Sequence, residues 1–263
     1  MTRDLIREKL ITFIRDGARM ERNEIVTVEA ALTVFVNGTE LVTLLCTPAD
    51  MDRLALGFLR SEGFLTSLDD LESLRLQEEE GIVEIELKNS SDLARSLYGK
   101  RTITSGCGKG TTFYHALDAL RSKPVSSELR LKSSQIHALM RALEDRAQLF
   151  KQTGGIHSAA LANGAEILMF FEDIGRHNAV DKIVGQCLLE RMEMSDKSLV
   201  VSGRLSSEIL LKAAKLQLPV LISRAAPTSL SIELAESLNI TMVGFARGRR
   251  MNIYSHAWRI ETA

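Results

Sequence analysis

The chain has 263 residues, 45% hydrophobic and 25% charged, with a formal net charge of −1. That length allows two domains, or one large one, around a substantial core, and the composition is that of an ordinary globular protein. A charge so close to balance excludes a global field drawing the chain to nucleic acid or anionic lipid, so any charged ligand needs a local cluster.

Residues 1–20 are broken by charges throughout and lack the apolar core of a signal peptide. No apolar run is long enough to span a bilayer. Ile25 to Val36 is rich in β-branched residues, with Leu32, Val34 and Val36 alternating, and Asn37-Gly38 is a strong hairpin signal before a return strand from Leu41 to Cys46. Thr47 as N-cap, Pro48 at the first helical position and Asp50 completing a capping box predict a helix. Its buried face is Met51, Leu54, Ala55, Phe58 and Leu59, and Gly63 ends it. Val83, Ile85 and Leu87 alternate as another strand, residues 88–100 read as a polar linker or exposed edge, and 101–106 as a short strand running into a loop at Cys107. Ser134 is expected to cap a second helix whose buried face is Ile136, Leu139, Met140, Leu143, Ala147 and Phe150.

From Gly154 onward the period alternates between two and 3.6. Strands at 157–162 and 165–171 are joined by Asn163-Gly164, followed by a helix at 177–191, a strand at 199–202, a helix at 206–217, a strand at 220–223, a helix at 229–238 and a strand at 241–245. The fold class expected is α/β, a three-layer domain with a mixed sheet over residues 126–263, preceded by a smaller α+β domain over residues 1–125 that ends in the Cys107 loop.

Cys46, Cys107 and Cys187 are odd in number and far apart, which argues against a disulfide framework and for a reducing, cytoplasmic setting. They form no CxxC pair, so a structural zinc knuckle is not expected. Cys107 lies in Thr104-Ser-Gly-Cys-Gly-Lys-Gly110, where flanking glycines suit a mobile loop and Lys109 favours the nucleophilic thiolate. Cys46 closes a strand and Cys187 sits on an apolar helix face, so both read as core.

Candidate binding residues collect where strands enter helices, the edge on which open α/β sheets take ligands. Gly154-Gly155 before His157 can form an anion-cupping nest. Glu172-Asp-Ile-Gly-Arg-His-Asn178, with Asp181 and Lys182, is the densest cluster. Arg176, His177, Asn178, Asp181 and Lys182, crowded into under two turns, favour a site there, and Asp173 is either a ligand contact or a helix cap. Arg204 in Ser202–Glu208 and Thr228 in Ser223–Ser229, the latter expected as an N-cap, repeat the theme on neighbouring loops. Phe245, Ala246, Arg247, Gly248, Arg249 and Arg250 put three arginines within four residues just past the last strand, suited to bidentate phosphate contact. Nucleic acid is disfavoured, since neither an aromatic platform nor an extended basic face accompanies them.

Gly154-Gly-Ile-His157, Glu172-Asp-Ile-Gly-Arg-His-Asn-Ala-Val-Asp-Lys182, Ser202-Gly-Arg-Leu-Ser-Ser-Glu208, Ala226-Pro-Thr-Ser-Leu230 and Gly244-Phe-Ala-Arg-Gly-Arg249 occur in an order that resembles the FdhD/NarQ family. Val36-Asn-Gly38, Thr47-Pro48 and Leu56–Gly63 carry the likeness through the N-terminal third. The resemblance implies a sulfur carrier or sulfurtransferase. It would accept persulfide sulfur from a cysteine desulfurase on Cys107 and pass it to the molybdenum (or tungsten) bis(molybdopterin guanine dinucleotide) cofactor for the formate dehydrogenase catalytic subunit. It also implies guanine-nucleotide binding on the basic loops, and a homodimer would suit two nucleotides per cofactor. The family often carries Cys-Gly-x-Cys-Gly-Lys, whereas this chain has Ser105-Gly-Cys-Gly-Lys109; Cys107 aligns with the second cysteine, and one thiol suffices for a carrier.

The family's α/β domain is similar to the cytidine deaminase fold. Zinc deaminases place H-x-E and P-C-x-x-C at the two helix starts, where this chain has Arg176-His-Asn-Ala179 and Ser202-Gly-Arg-Leu-Ser-Ser207. Neither supplies the ligands, so no resident metal and no deamination are expected. The remaining alternative to a sulfurtransferase is a non-catalytic chaperone that only holds the cofactor.

Overall fold

The computed structural model describes residues 4–88, 102–103, 111–112 and 123–262. Strands β1 (Ile6–Arg15) and β2 (Ala18–Thr27) form a two-stranded antiparallel ribbon. Its turn, Asp16-Gly17, has positive φ at both residues (52° and 80°), as a tight hairpin requires. The sequence reading missed β1 and ran the end of β2 into the next strand. The ribbon leaves Leu10 and Ile14 each 67% exposed, so its residues lack the one-sided pattern that marks a half-buried strand.

Strand β3 (Ala30–Val36) turns through Asn37 (φ 48°) and Gly38 (φ 72°) into β4 (Thr39–Cys46), as expected. Helix α1 (Met51–Glu62) follows, then β5 (Leu71–Gln77) and β6 (Ile82–Leu87), in a four-stranded sheet of order β4-β3-β6-β5. Leu32, Val34, Val36, Val83, Ile85 and Leu87 pack with Leu54, Ala55, Phe58 and Leu59 of α1 into one core. Gly63 caps α1 in the left-handed region (φ 86°). The expected capping box at its start is absent: the N-cap is Asp50, itself left-handed and making no side-chain cap, while Thr47 is buried elsewhere. Short strands β7 (Thr102–Ile103) and β8 (Thr111–Thr112) pair with each other. Residues 89–101 and 104–110, with the expected linker and the Cys107 loop, lie outside the described residues.

After β9 (Leu131–Lys132) come α2 (Ser133–Arg146) and α3 (Gln148–Thr153). Ser134 does not cap α2. Lys132 is the N-cap, and its N–H donates to Gln135 Oε1 at 2.7 Å. The single helix expected through Phe150 breaks at Ala147 (φ −72°, ψ 67°), so Ile136, Leu139, Met140 and Leu143 are buried but Phe150 is not.

The rest is strand β10 (His157–Asn163), β11 (Glu166–Asp173), helix α4 (Arg176–Leu189), β12 (Ser198–Val201), α5 (Ser207–Lys215), β13 (Val220–Ser223), α6 (Ser229–Ser237), β14 (Thr241–Arg247) and β15 (Arg250–Ser255). A two-residue strand β16 (Ile260–Glu261) pairs with β9. The six-stranded sheet has the order β11-β10-β12-β13-β14-β15, parallel at β12-β13-β14 and antiparallel elsewhere. Alternate residues face opposite layers. Leu161, Leu199, Val201 and Leu221 pack on α4 and α5, while Ala160, Val200, Ile222 and Val243 pack on α2. The expected three-layer, mixed-sheet α/β architecture is thus present. Among the described residues no helix is long and apolar enough to cross a membrane.

The two sheets are joined where α1 lies against α4. A Cβ on Gly57 would sit 1.7 Å from the Asp181 carbonyl oxygen, and one on Gly185 would sit 2.0 Å from the Arg53 carbonyl oxygen. Both glycines therefore let backbone touch backbone, and the neighbouring atoms are main chain that cannot swing away. Gly57→Ala and Gly185→Ala are each expected to destabilise the protein by about 3 kcal/mol or more, at or beyond the usual cost of overpacking. Urea denaturation checks this, and a loss under about 1 kcal/mol at both sites would show that the helices part freely.

Candidate functional site

The C-terminal ends of β11, β12, β13 and β14 and the N-terminus of β10 share one edge of the large sheet. Its loops are laced to one another. Ser158 N–H donates to Ser202 Oγ at 2.9 Å, and Ser223 Oγ donates to the Gly203 carbonyl at 2.6 Å. Ala225 N–H donates to Ser223 Oγ (2.9 Å), Phe245 N–H to the Ala225 carbonyl (3.1 Å) and Arg247 Nε to the Arg224 carbonyl (2.7 Å). Leu205 and Thr228 close a parallel link through Ala226, and Thr228 caps α6 reciprocally with Ser231, as expected. Gly203 is tightly packed: a Cβ there would lie 3.0 Å from Arg176 Cβ and in ordinary contact, at 3.6 Å, with His157 Nδ1.

Arg247, Gly248, Arg249 and Arg250 form the exposed tip of the β14–β15 hairpin rather than a loop past a final strand. Phe245 adopts φ 50°, held by its bond to Ala225, and Ala246 is fully buried, so it can offer a ligand only backbone.

The Glu172–Lys182 cluster divides. Arg176 packs against Gly203, and His177 Nε2 lies 2.9 Å from Glu208 Oε2. Asp173, Asn178, Asp181 and Lys182, which the sequence places within a candidate site, have polar atoms engaged inside the protein. Asp173 is fully buried: Thr47 donates to its Oδ2 through N–H (3.1 Å) and Oγ1 (2.9 Å), Lys182 Nζ lies 2.8 Å away, and Gly175 N–H and Asn178 Nδ2 hold Oδ1. Asn178 also donates to the Leu45 carbonyl. Asp181 accepts from Ser61 Oγ (2.7 Å) and Lys212 Nζ (2.6 Å), tying α4 to α1 and α5. Glu172 accepts the N–H groups of Leu149 and Phe150 (3.1 and 3.0 Å) at the start of α3, where a carboxylate is favoured by the helix dipole.

A cavity of about 500 Å³ opens between α2, α3 and this edge. Gly155, His157, Ser202, Arg224, Glu144 and Phe150 are among its walls. Gly155 and His157 were expected in a site. Arg224 lies in the Ser223–Ser229 loop already placed on this edge, whereas Glu144 and Phe150 were missed, because both lie on helices and only the break at Ala147 turns Phe150 toward the opening.

The FdhD/NarQ family model matches residues 27–261. The chain belongs to the FdhD/NarQ family. It is 44% identical over 246 residues, 94% of each chain, to "Sulfur carrier protein FdhD" of Geobacillus kaustophilus. It is 43% identical over 256 residues to the Bacillus subtilis protein of the same name, covering 95% of this chain and 98% of the other. The "Crystal structure of a putative formate dehydrogenase accessory protein from Desulfotalea psychrophila" superposes with a TM-score of 0.81 at 26% identity, over 98% of this chain and all of the other.

On this FdhD/NarQ scaffold, burial first and then the charges of Arg176, His177 and Arg204 hold the His157 imidazole below its ordinary value, against an opposing pull from Asp173. Its ring stands 3.3 Å from Ser202 Oγ. Glu208 lies below the ordinary carboxylate range: burial pushes it up, but the His177 hydrogen bond and the charges of His177, Lys212 and Arg176 outweigh that. Cys107 is outside the described residues. Cys46 and Cys187 are buried, as expected, and burial followed by the Glu190 charge pushes the Cys187 thiol up to about 12. Because the folded protein binds a proton at His157 less readily than the unfolded chain, this residue subtracts stability as pH falls through 6.5, levelling off below the folded value. NMR titration of the His157 ring should give a midpoint below 6.5. A midpoint at or above that value would overturn the account of its surroundings.

Proposed function

We propose that the chain carries sulfur for formate dehydrogenase: Cys107 takes sulfane sulfur from a cysteine desulfurase and passes it to molybdenum bis(molybdopterin guanine dinucleotide), held as substrate on the arginine-rich sheet edge. In the loading step the Cys107 thiolate attacks the outer sulfur of the desulfurase persulfide. A new S–S bond forms as the old one breaks, and the desulfurase thiolate leaves. The names of the curated relatives support the carrier role. The observation that carries the substrate assignment is the convergence of Arg176, Arg224 and the Arg247–Arg250 tip on one edge beside the 500 Å³ cavity.

In this reading the hairpin tip, Phe245 to Arg250, contacts pyrophosphate, with Arg247, Arg249 and Arg250 supplying charge and Ala246 and Gly248 backbone. Gly155, His157, Arg176, His177 and Arg204 line the adjoining surface. Asn178, Asp173 and Thr228 support it from below. The chain then divides near residue 125 into a part bearing the Cys107 loop and a deaminase-like α/β part adapted to binding. Desulfurase and the formate dehydrogenase catalytic subunit are the protein partners, in the cytoplasm, and a homodimer matches the two nucleotide arms of the substrate.

Incubation with a desulfurase and cysteine should add one sulfur to the wild-type mass. Cys107→Ala should abolish that increase and Cys187→Ala should not. An unchanged increase in Cys107→Ala would remove the carrier assignment, and dehydrogenase activity surviving that substitution would favour a chaperone. Arg249→Ala should weaken GDP binding about tenfold or more, the lower range for a hydrogen bond to a charged group. Unchanged calorimetric affinity would take the hairpin out of the site.

A further inference from the structure

Resting on the carrier reading, we infer that a groove at the C-terminal ends of α1, α4 and α5 docks the sulfur donor, through a segment of that protein that sets an acidic side chain on Arg60 and apolar ones beside it.

The groove has a volume of about 330 Å³. Arg60, Arg191 and Lys215 stand around a bed that includes Leu188, Met192 and Leu216. It lies at the far end of α4 from Arg176 and His177, roughly 20 Å along a helix of 14 residues, so it is separate from the sheet edge. Arginine and methionine around a small apolar bed is the composition that protein contacts favour, and methionine adapts its shape to an incoming segment.

Arg60 is the group that lacks a counter-charge. Burial holds its guanidinium below its ordinary value, with no opposing pull from a carboxylate. Among the described residues its side chain makes no hydrogen bond and no ion pair. Its neighbours are engaged: Arg191 Nη2 lies 2.6 Å from Asp69 Oδ1, and Lys215 Nζ donates to the Ser61 carbonyl. The end of α1 does not occupy Arg60 either, because the Leu59 and Arg60 carbonyls already accept the N–H groups of Gly63, Phe64 and Leu65. A cation drawn partly out of water without a partner is costly, and a carboxylate brought by another molecule relieves that cost through charge-assisted bonds.

The path of the chain says which molecule brings it. On one side Lys88 N–H donates to the Asp70 carbonyl (3.0 Å) and Lys88 Nζ to the carbonyl of Asp69 (2.7 Å), the residue that holds Arg191. On the other, the Lys123 carbonyl accepts from Gln217 Nε2 (3.2 Å) on the groove wall. Cys107 is therefore tethered to the rim of this groove from both directions. A donor docked here meets that thiol as an intramolecular partner, at the raised effective concentration a tether provides.

Calorimetry of the full chain with a cysteine desulfurase, in the absence of cysteine, tests this. Arg60→Gln should weaken binding about tenfold or more, as losing a hydrogen bond to a charged group does, and Arg60→Lys, which keeps the charge, should recover part of the affinity. Arg191→Glu, at an exposed position where folding is not at stake, should weaken binding too. Inorganic polysulfide is the control: the Cys107 thiolate takes one sulfur and displaces a shorter polysulfide with no docked protein, so this mass increase should appear at the wild-type rate in all variants. Wild-type affinity in either Arg60→Gln or Arg191→Glu, a polysulfide rate that falls in step with desulfurase binding, or a wild-type chain that binds no desulfurase overturns the inference and leaves sulfur carriage standing. A wild-type chain that takes sulfur from neither donor removes both.

Discussion

The backbone contact between α1 and α4 is the constraint on which the rest of the molecule depends. With glycine at 57 and 185 the two helices touch through main chain, closer than any side chain would allow. That approach buries two ion pairs that begin on adjacent residues of α4. Lys182 reaches Asp173 and Thr47, and Asp181 reaches Lys212 and Ser61. Breaking a buried pair by removing one partner typically costs about 3–5 kcal/mol, since the other charge is left stranded. The small sheet and the large one are thereby committed to one relative position, because each pair draws in a residue from both.

The same helix does its outward work at its other end. Arg176 and His177 leave the first turn of α4 toward the sheet edge, less than two turns from the buried Asp181 and Lys182. Fixing the inner end fixes the outer one. Across the edge the loops are stiffened by small hydroxyls: Ser202 and Ser223 each hold two neighbours, and Phe245 is kept at positive φ by its bond to Ala225. Cationic side chains placed on such loops lose less freedom when an anion arrives, which is the advantage of a preformed site.

Much of this was legible in the sequence, and the failures share a cause. Period-two and 3.6-residue patterns, with Asn37-Gly38 and Gly63 in the small sheet's unit and the Thr228 cap in the large one's, located the β3–β4 hairpin, α1 and nearly every element of the large sheet, because those signals are local. Asp181 and Lys182 counted toward a site, and Asp173 stayed open between contact and cap, because a dense run of polar types looks the same whether it faces a ligand or a buried partner. The partners, Thr47, Ser61 and Lys212, are remote in sequence. Phe150 was assigned to the core because the periodicity continues through Ala147, where the backbone does not. Glu144 drew no notice for the same reason: its place beside Arg224 exists only once α2 is laid on the sheet. Strand β1 was missed because its burial is too slight to leave a pattern.

The distribution of charge and of thiols points the same way. A chain with net charge −1 cannot gather a polyanion by its overall field, so attraction has to come from arginines clustered within about one Debye length of each other, roughly 8–10 Å at physiological salt. The shared edge brings Arg247 against Arg224, its Nε 2.7 Å from the Arg224 carbonyl. The cysteines are sorted by burial in the complementary sense. A thiol pushed up to about 12, like that of Cys187, stays protonated at neutral pH and is a poor nucleophile. Cys46 is shut within the small sheet's core. A carrier of reactive sulfur is served by this arrangement, since a persulfide exchanges with any accessible thiolate. Withholding two of the three thiols from that exchange leaves the transfer proposed here a single route, through Cys107.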